Sequence, residues 1–149
     1  MMIIRFTKMH GLGNDFMVLD ARHQKIHITD TLIKRWSDRH TGIGFDQLLI
    51  LESSDAHGVD FRYRIFNADA TEVEHCGNGA RCVALFAHRH SNSTQQEFRC
   101  STMKGELTLS VLDNNRVSVA MGIPNFEPAT IPLLGCERAD SYPLALAAE

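Results

Sequence analysis

The chain has 149 residues, enough for one domain, or for one domain and part of a second. Hydrophobic residues make up 44% and charged residues 22%, an ordinary globular composition. Fifteen basic and eighteen acidic residues are interspersed to a net charge of -3, with no basic stripe for nucleic acid and no polybasic cluster for a membrane surface.

The N-terminus, MMIIRFTKMHGLGNDF, begins with an apolar run of only four residues, which is neither a signal peptide nor a membrane span. The expected compartment is therefore the cytoplasm, where Cys76, Cys82, Cys100 and Cys136 stay reduced. Residues 3–9 and 16–20 read as strands. The glycine-rich HGLGND between them predicts a hairpin with a long tip. Thr29 or Asp30 caps a helix with Leu32, Ile33 and Trp36 on one face, and Gly42 marks its stop. QLLIL at 47–51 is a buried strand. DFRYRIF at 60–66 alternates Phe61, Tyr63 and Ile65 with Arg62 and Arg64, as a half-buried strand does. NADATEVEHCGNG is an irregular connection. Residues 79–89 form a helix that is apolar nearly all round, a pattern that places it in the middle of a fold. Strands follow at 96–102, 106–112 and 116–121, with a DNN turn at 113–115. Leu107, Leu109, Val111, Val117, Val119 and Met121 share one apolar face. After Gly122 come all four prolines, at 124, 128, 132 and 143. The composition shift divides the chain into a folded unit at 1–122 and a linker leading to a second unit at 123–149.

GLGNDF and GIGFDQ look like the start of a dinucleotide-binding GxGxxG, but Phe16 and Gln47 stand where the third glycine belongs. There is no GK[ST] and no HExxH, and His88 and His90 lie on different helix faces, so no metal site is expected. Asn14, Asn67 and Asn78 each sit in a turn, where backbone conformation alone explains an asparagine. Gln47 is an ordinary strand-end residue on this reading. Cys82, Cys100 and Cys136 read as small apolar fillers.

Cys76 differs because it opens the buried helix. Free N–H groups and the positive dipole end favour an anion there, and so favour a thiolate. Gly77 and Gly79 let a ligand approach the backbone, and a substrate carboxylate fits on those N–H groups. Glu72 and Glu74 oppose the thiolate if they point at the sulfur. On local physics alone, a reactive thiol and a buried structural cysteine both stand. A reactive thiolate is either a nucleophile needing a histidine partner or a Brønsted base needing only a substrate C–H held against it.

NADATEVEHCGNGARC, with KMHGLGNDF and RHTGIGFDQLLI before it and KGELTLSV and VAMGIP after it, resembles the N-terminal half of the diaminopimelate epimerases. The likeness runs from about residue 5 to 132, with the motifs in family order. It implies a cofactor-independent isomerase interconverting LL- and meso-diaminopimelate on the route to lysine and peptidoglycan. Two cysteines act on opposite faces of the α-carbon, one as thiolate base and one as thiol acid. Cys76 matches the first of these. Gly77 and Asn78 match positions whose backbone binds the α-carboxylate end, and Asn14, Gln47 and Asn67 match substrate-binding positions. The implied fold is α/β (α+β): a mixed, largely antiparallel, barrel-like sheet around a central buried helix, one of two similar halves. Ala70 departs from the family's usual NADG. The family's chain is nearly twice as long, and its second cysteine has no counterpart here, since CERAD at 136–140 lacks the glycine motif. The expectation is thus a first half-site, inactive by itself. Two rivals stand beside it: a non-catalytic half that binds an amino acid weakly or forms a homodimer, and an isomerase of the same architecture acting on another amino acid.

Overall fold

Strict alternation of side chains along the strands builds two cores, one on each face of a single sheet. The computed structural model describes residues 3–91, 94–131, 133 and 135–143. Its strands are β1 (Thr7–Gly11), β2 (Asn14–Asp20), β3 (Gln47–Glu52), β4 (Phe61–Asn67), β5 (Glu72–Val73), β6 (Glu97–Thr102), β7 (Gly105–Val111) and β8 (Val117–Ala120). They form one curled sheet in the order β1-β2-β3-β4-β6-β7-β8, with β5 attached to β4. The β2–β3 and β4–β6 pairs are parallel and the remaining pairs antiparallel, so the sheet is mixed and largely antiparallel.

One sheet face packs on α2 (Gly77–His90): Phe16, Val18, Leu49, Leu51, Phe61, Tyr63 and Ile65 meet Ala80, Val83, Ala84 and Ala87. The residues between them, Met17, Leu19, Leu48, Ile50 and Phe66, pack with Ile33 of α1 (Asp30–Ser37) and with Phe45. Burial on both faces explains why QLLIL reads as a continuous apolar run. α2 touches both β1 and β8, the outermost strands, so the sheet curls round it. Arg89, in its last turn between His88 and His90, complements the helix dipole. Thr29 caps α1 through its side chain, which accepts from the Leu32 N–H at 3.3 Å.

Several expectations are corrected. The first strand is Thr7–Gly11 rather than 3–9, and the hairpin tip is two residues, not long. Gly11 pairs with Asn14, leaving Leu12 and Gly13, both at positive φ (56° and 88°), as a tight turn whose twist suits the strands. α2 begins at Gly77 rather than 79. β5 interrupts what the sequence presents as an irregular connection. Met121 does not join the apolar face: β8 stops at Ala120 before Gly122 takes φ 87°, and Met121 is exposed. Cys136 is no core filler but an exposed thiol. Of the prolines in the linker, Pro132 lies outside the described residues, as do residues 144–149.

Candidate active site

Strand register gathers the site along one rim of the sheet. Gln47 is the first residue of β3 and pairs with Phe16 of β2 on one side and with Asn67, the last residue of β4, on the other. Asn14 is the first residue of β2. Gln47 Nε2 donates to Asn67 Oδ1 at 2.9 Å, and Asn67 Nδ2 donates to Thr71 Oγ1 at 3.1 Å. Gln47 Oε1 is buried with no donor.

Cys76 is the N-cap of α2, in extended conformation (φ -145°, ψ 106°). Its Sγ accepts from the Gly79 N–H at 3.2 Å, and its carbonyl accepts from the Ala80 N–H at 2.8 Å. Asn14 Nδ2 also donates to Sγ, at 3.8 Å. The sulfur thus sits where serine or aspartate caps other helices, with two N–H donors toward it. The N–H groups of Gly77 and Asn78, the first two of the helix, are left over beside it. Asn78 Oδ1 accepts from the Arg81 guanidinium, which leaves its amide and backbone N–H groups as donors for a ligand. A Cβ at Gly11 would lie 3.4 Å from Asn78 Cβ, and one at Gly77 3.3 Å from Met121 Sδ. The first turn of α2 is therefore in close contact with chain on both sides.

The two carboxylates that oppose a thiolate are neutralised by cations. Arg64 grips Glu72 with two bonds of 2.7 and 2.8 Å and holds its carboxyl below the usual glutamate range. Lys104 pairs with Glu74. Ala70, where the resemblance calls for glycine, adopts φ 73°, so the turn keeps a glycine-like conformation with alanine in it. Its N–H donates to Asn67 O at 2.9 Å, and the turn presents Asn67 as the last residue of β4.

Two features of the site go beyond what the sequence pattern shows. Arg39 bridges Asp15 Oδ1 and Asp46 Oδ1, each at 2.7 Å, and Lys8 joins Asp15 at 2.8 Å. Asp15 and Asp46 also accept each other's backbone N–H groups, at 2.9 and 3.2 Å. Arg39, opposed by burial, holds the Asp15 carboxyl far below its ordinary range. This clamp binds the residue after Asn14 to the residue before Gln47. The second feature is Tyr63. Its ring is buried and its hydroxyl has no partner. Burial pushes the phenol up, and the sulfurs of Cys76, Cys100 and Cys82 add to the effect. An unpaired buried hydroxyl costs about 1–3 kcal/mol. A Cβ on Gly79 would overlap that oxygen.

A curled sheet wrapped on one helix is an architecture shared by several epimerases and isomerases. A methylitaconate-delta-isomerase structure matches 93% of this chain and 70% of its own at a TM-score of 0.59 and 17% identity. A hydroxyproline epimerase from Agrobacterium vitis matches 76% of this chain and 40% of its own at 0.56 and 15% identity. These show the common fold. The diaminopimelate epimerase family profile matches residues 6–127, and the chain belongs to that family. The diaminopimelate epimerase of Nitrosomonas europaea is 54% identical over 96% of this chain and 52% of its own length. Those of Pseudomonas entomophila and of Legionella pneumophila strain Corby are 55% and 50% identical over the same shares. The chain spans about half the length of these relatives. Among the described residues, no helix is long and apolar enough to cross a membrane.

Proposed function

We propose that this chain supplies the first half of a diaminopimelate epimerase active site, in which Cys76 is one of two thiols that move the α-proton. The observation carrying the reading is the Cys76 sulfur at the N-cap of α2, held by Gly79 and Asn14, with the free N–H groups of Gly77 and Asn78 beside it. A substrate α-carboxylate on those N–H groups brings the α-carbon to the sulfur. The thiolate takes the α-proton, forming S–H, and the C–H electron pair passes into the carboxylate, whose growing charge the helix start stabilises. A second thiol on the opposite face then gives its proton to the carbon, which inverts the centre. That thiol belongs to the length of the relatives that this chain does not span. Gln47 Oε1, buried without a donor, suits a substrate ammonium, with Asn14 and Asn67 completing the polar rim. Both thiols must stay reduced, which fits a cytoplasmic enzyme of lysine and peptidoglycan synthesis. No cofactor has a role in this proton transfer. On this reading residues 1–122 are the epimerase-like half and 123–149 lead into the second.

The test is incubation with LL-diaminopimelate in D2O, following α-deuterium and meso product by NMR. The chain alone is expected to give no epimerisation at enzyme-like rates. Adding the separately produced second half of a relative is expected to restore it, and Cys76→Ala to abolish the restored activity. Rapid epimerisation by the chain alone would overturn the half-site reading. Restored activity that survives Cys76→Ala would overturn the role of the thiol. A second reading, a self-associating half, is favoured by the exposed Ile123 and Phe126 beyond β8. Sedimentation of the 149-residue chain as a stable dimer that holds no substrate would select it.

A further inference from the structure

Beneath the first turn of α2 lies a polar atom that the mechanism above does not use. Tyr63 projects from β4 into the core under the helix start, 1% exposed, and its hydroxyl has no hydrogen-bond partner. Gly79 makes room for it: a Cβ there would overlap the phenol oxygen and would stand 3.4 Å from Cys76 Cβ. The missing side chain thus leaves the space between the phenol and the cysteine open. The polar groups around the phenol include three sulfurs, those of Cys76, Cys82 and Cys100. Cys82 and Cys100 are buried thiols, with 3% and 0% exposure, and are weak acceptors while protonated. Cys76 alone of the three sits at a helix start, where negative charge is favoured. A thiolate has room for a further donor beyond the N–H groups of Gly79 and Asn14 that it already has.

We propose that Tyr63 is a positioning residue for Cys76: when the sulfur is charged, it turns toward the core and the Tyr63 hydroxyl donates to it from beneath the helix. The inference rests on the reading of Cys76 as a working thiolate and deepens it. In the neutral thiol state the hydroxyl is left without a partner, so the unpaired state disfavours the thiol and the paired state favours the thiolate. Proton transfer from substrate to sulfur would break this bond, and return of the proton would remake it.

The ionisable groups next to Cys76 in the chain do not mimic the effect. Glu72 and Glu74 are each held by a cation, and His75 is unchanged in the variants below. The experiment uses the 149-residue chain and iodoacetamide, with the Cys76 peptide quantified by mass spectrometry across pH 5–10. Tyr63→Phe keeps the ring and removes the donor. Its labelling-rate profile is expected to move up by about one pH unit, a tenfold loss of thiolate below the midpoint. Replacing tyrosine by 3-fluorotyrosine strengthens the donor and should move the midpoint down. The chain has two tyrosines, so a Tyr142→Phe background confines the probe to Tyr63. An unchanged midpoint in both chains would overturn the proposal and leave Tyr63 a buried structural residue. If Tyr63→Phe does not fold, the fluorotyrosine chain decides alone. Because labelling needs no turnover, a shifted profile stands even if the epimerase assay fails.

Discussion

Gly79→Ala is expected to destabilise the chain by about 1–2 kcal/mol, although alanine is the better helix former. Gly79 lies in the first turn of α2 at an ordinary negative φ, so the backbone accepts the change, and helix propensity favours it by about 1 kcal/mol. The new methyl, however, overlaps Tyr63 Oη and comes 3.2 Å from Leu49 Cδ2. The leucine methyl can rotate aside. The phenol is fixed in a ring with 1% exposure and must push into a filled core. Such overpacking costs about 1–3 kcal/mol, which exceeds the propensity gain over most of that range. Urea denaturation followed by circular dichroism measures the difference. The decisive form is a double-mutant cycle. Tyr63→Phe removes the oxygen that the methyl strikes, and should be stabilising alone because it deletes an unpaired buried hydroxyl. Gly79→Ala in the Tyr63→Phe background should then be neutral or stabilising, a coupling of at least about 1 kcal/mol. Additive single effects, or a neutral Gly79→Ala in the parent, would refute the placement of the phenol under the helix.

Other outcomes follow from the same geometry. Iodoacetamide at pH 8 should label Cys76 and the exposed Cys136 but spare Cys82 and Cys100, whose thiols burial pushes up to about 11 and about 12; peptide mapping that finds Cys82 or Cys100 first would contradict this. Glu72→Gln should show acid-dependent destabilisation of a definite sign. Arg64 lowers the Glu72 carboxyl in the folded state, so the pair's contribution is complete above the ordinary 4.5 and is lost as the pH falls through the lowered folded value. The gap in urea midpoint between parent and variant should therefore be largest at pH 7 and close well below 4.5, and a gap independent of pH would exclude the pair as its source. Ala70→Gly should raise stability by about 0.5–1 kcal/mol, because φ 73° strains alanine and not glycine; a fall in melting temperature would show that the alanine methyl's packing outweighs that strain.

The sequence made the large elements readable because their periodicities are long and clean. QLLIL and DFRYRIF mark β3 and β4, and the apolar run after Cys76 marks α2. The placement of Cys76 at the start of that helix followed from the same run, though its role as the cap did not, and the quoted motifs identified the family. What stayed hidden depends on pairing between distant segments. The hairpin's tight turn is hidden because it uses Leu12, a residue that rarely takes positive φ, between two glycines that suggest a longer loop. β5, at two residues, is too short for any period to register. Met121 obeys the alternation of β8 but falls just beyond the strand's last pair. Whether Glu72 and Glu74 oppose a thiolate depends on Arg64 and Lys104, which hold them from distant segments. Tyr63 shows the limit most plainly: alternation placed its ring inside, yet only the crossing of β4 beneath α2 gives its hydroxyl an unusual neighbour.

The first turn of α2 is wedged between the two ends of the sheet, with Gly11 of β1 against Asn78 on one side and Met121, just past β8, against Gly77 on the other. The curled sheet therefore behaves as an open clasp whose jaws close on the helix start. The absence of a side chain at Gly11 and at Gly77 lets Asn78 and the Met121 thioether come this close. A change that spreads the jaws would loosen the first turn of α2 and, with it, the cap that holds the Cys76 sulfur.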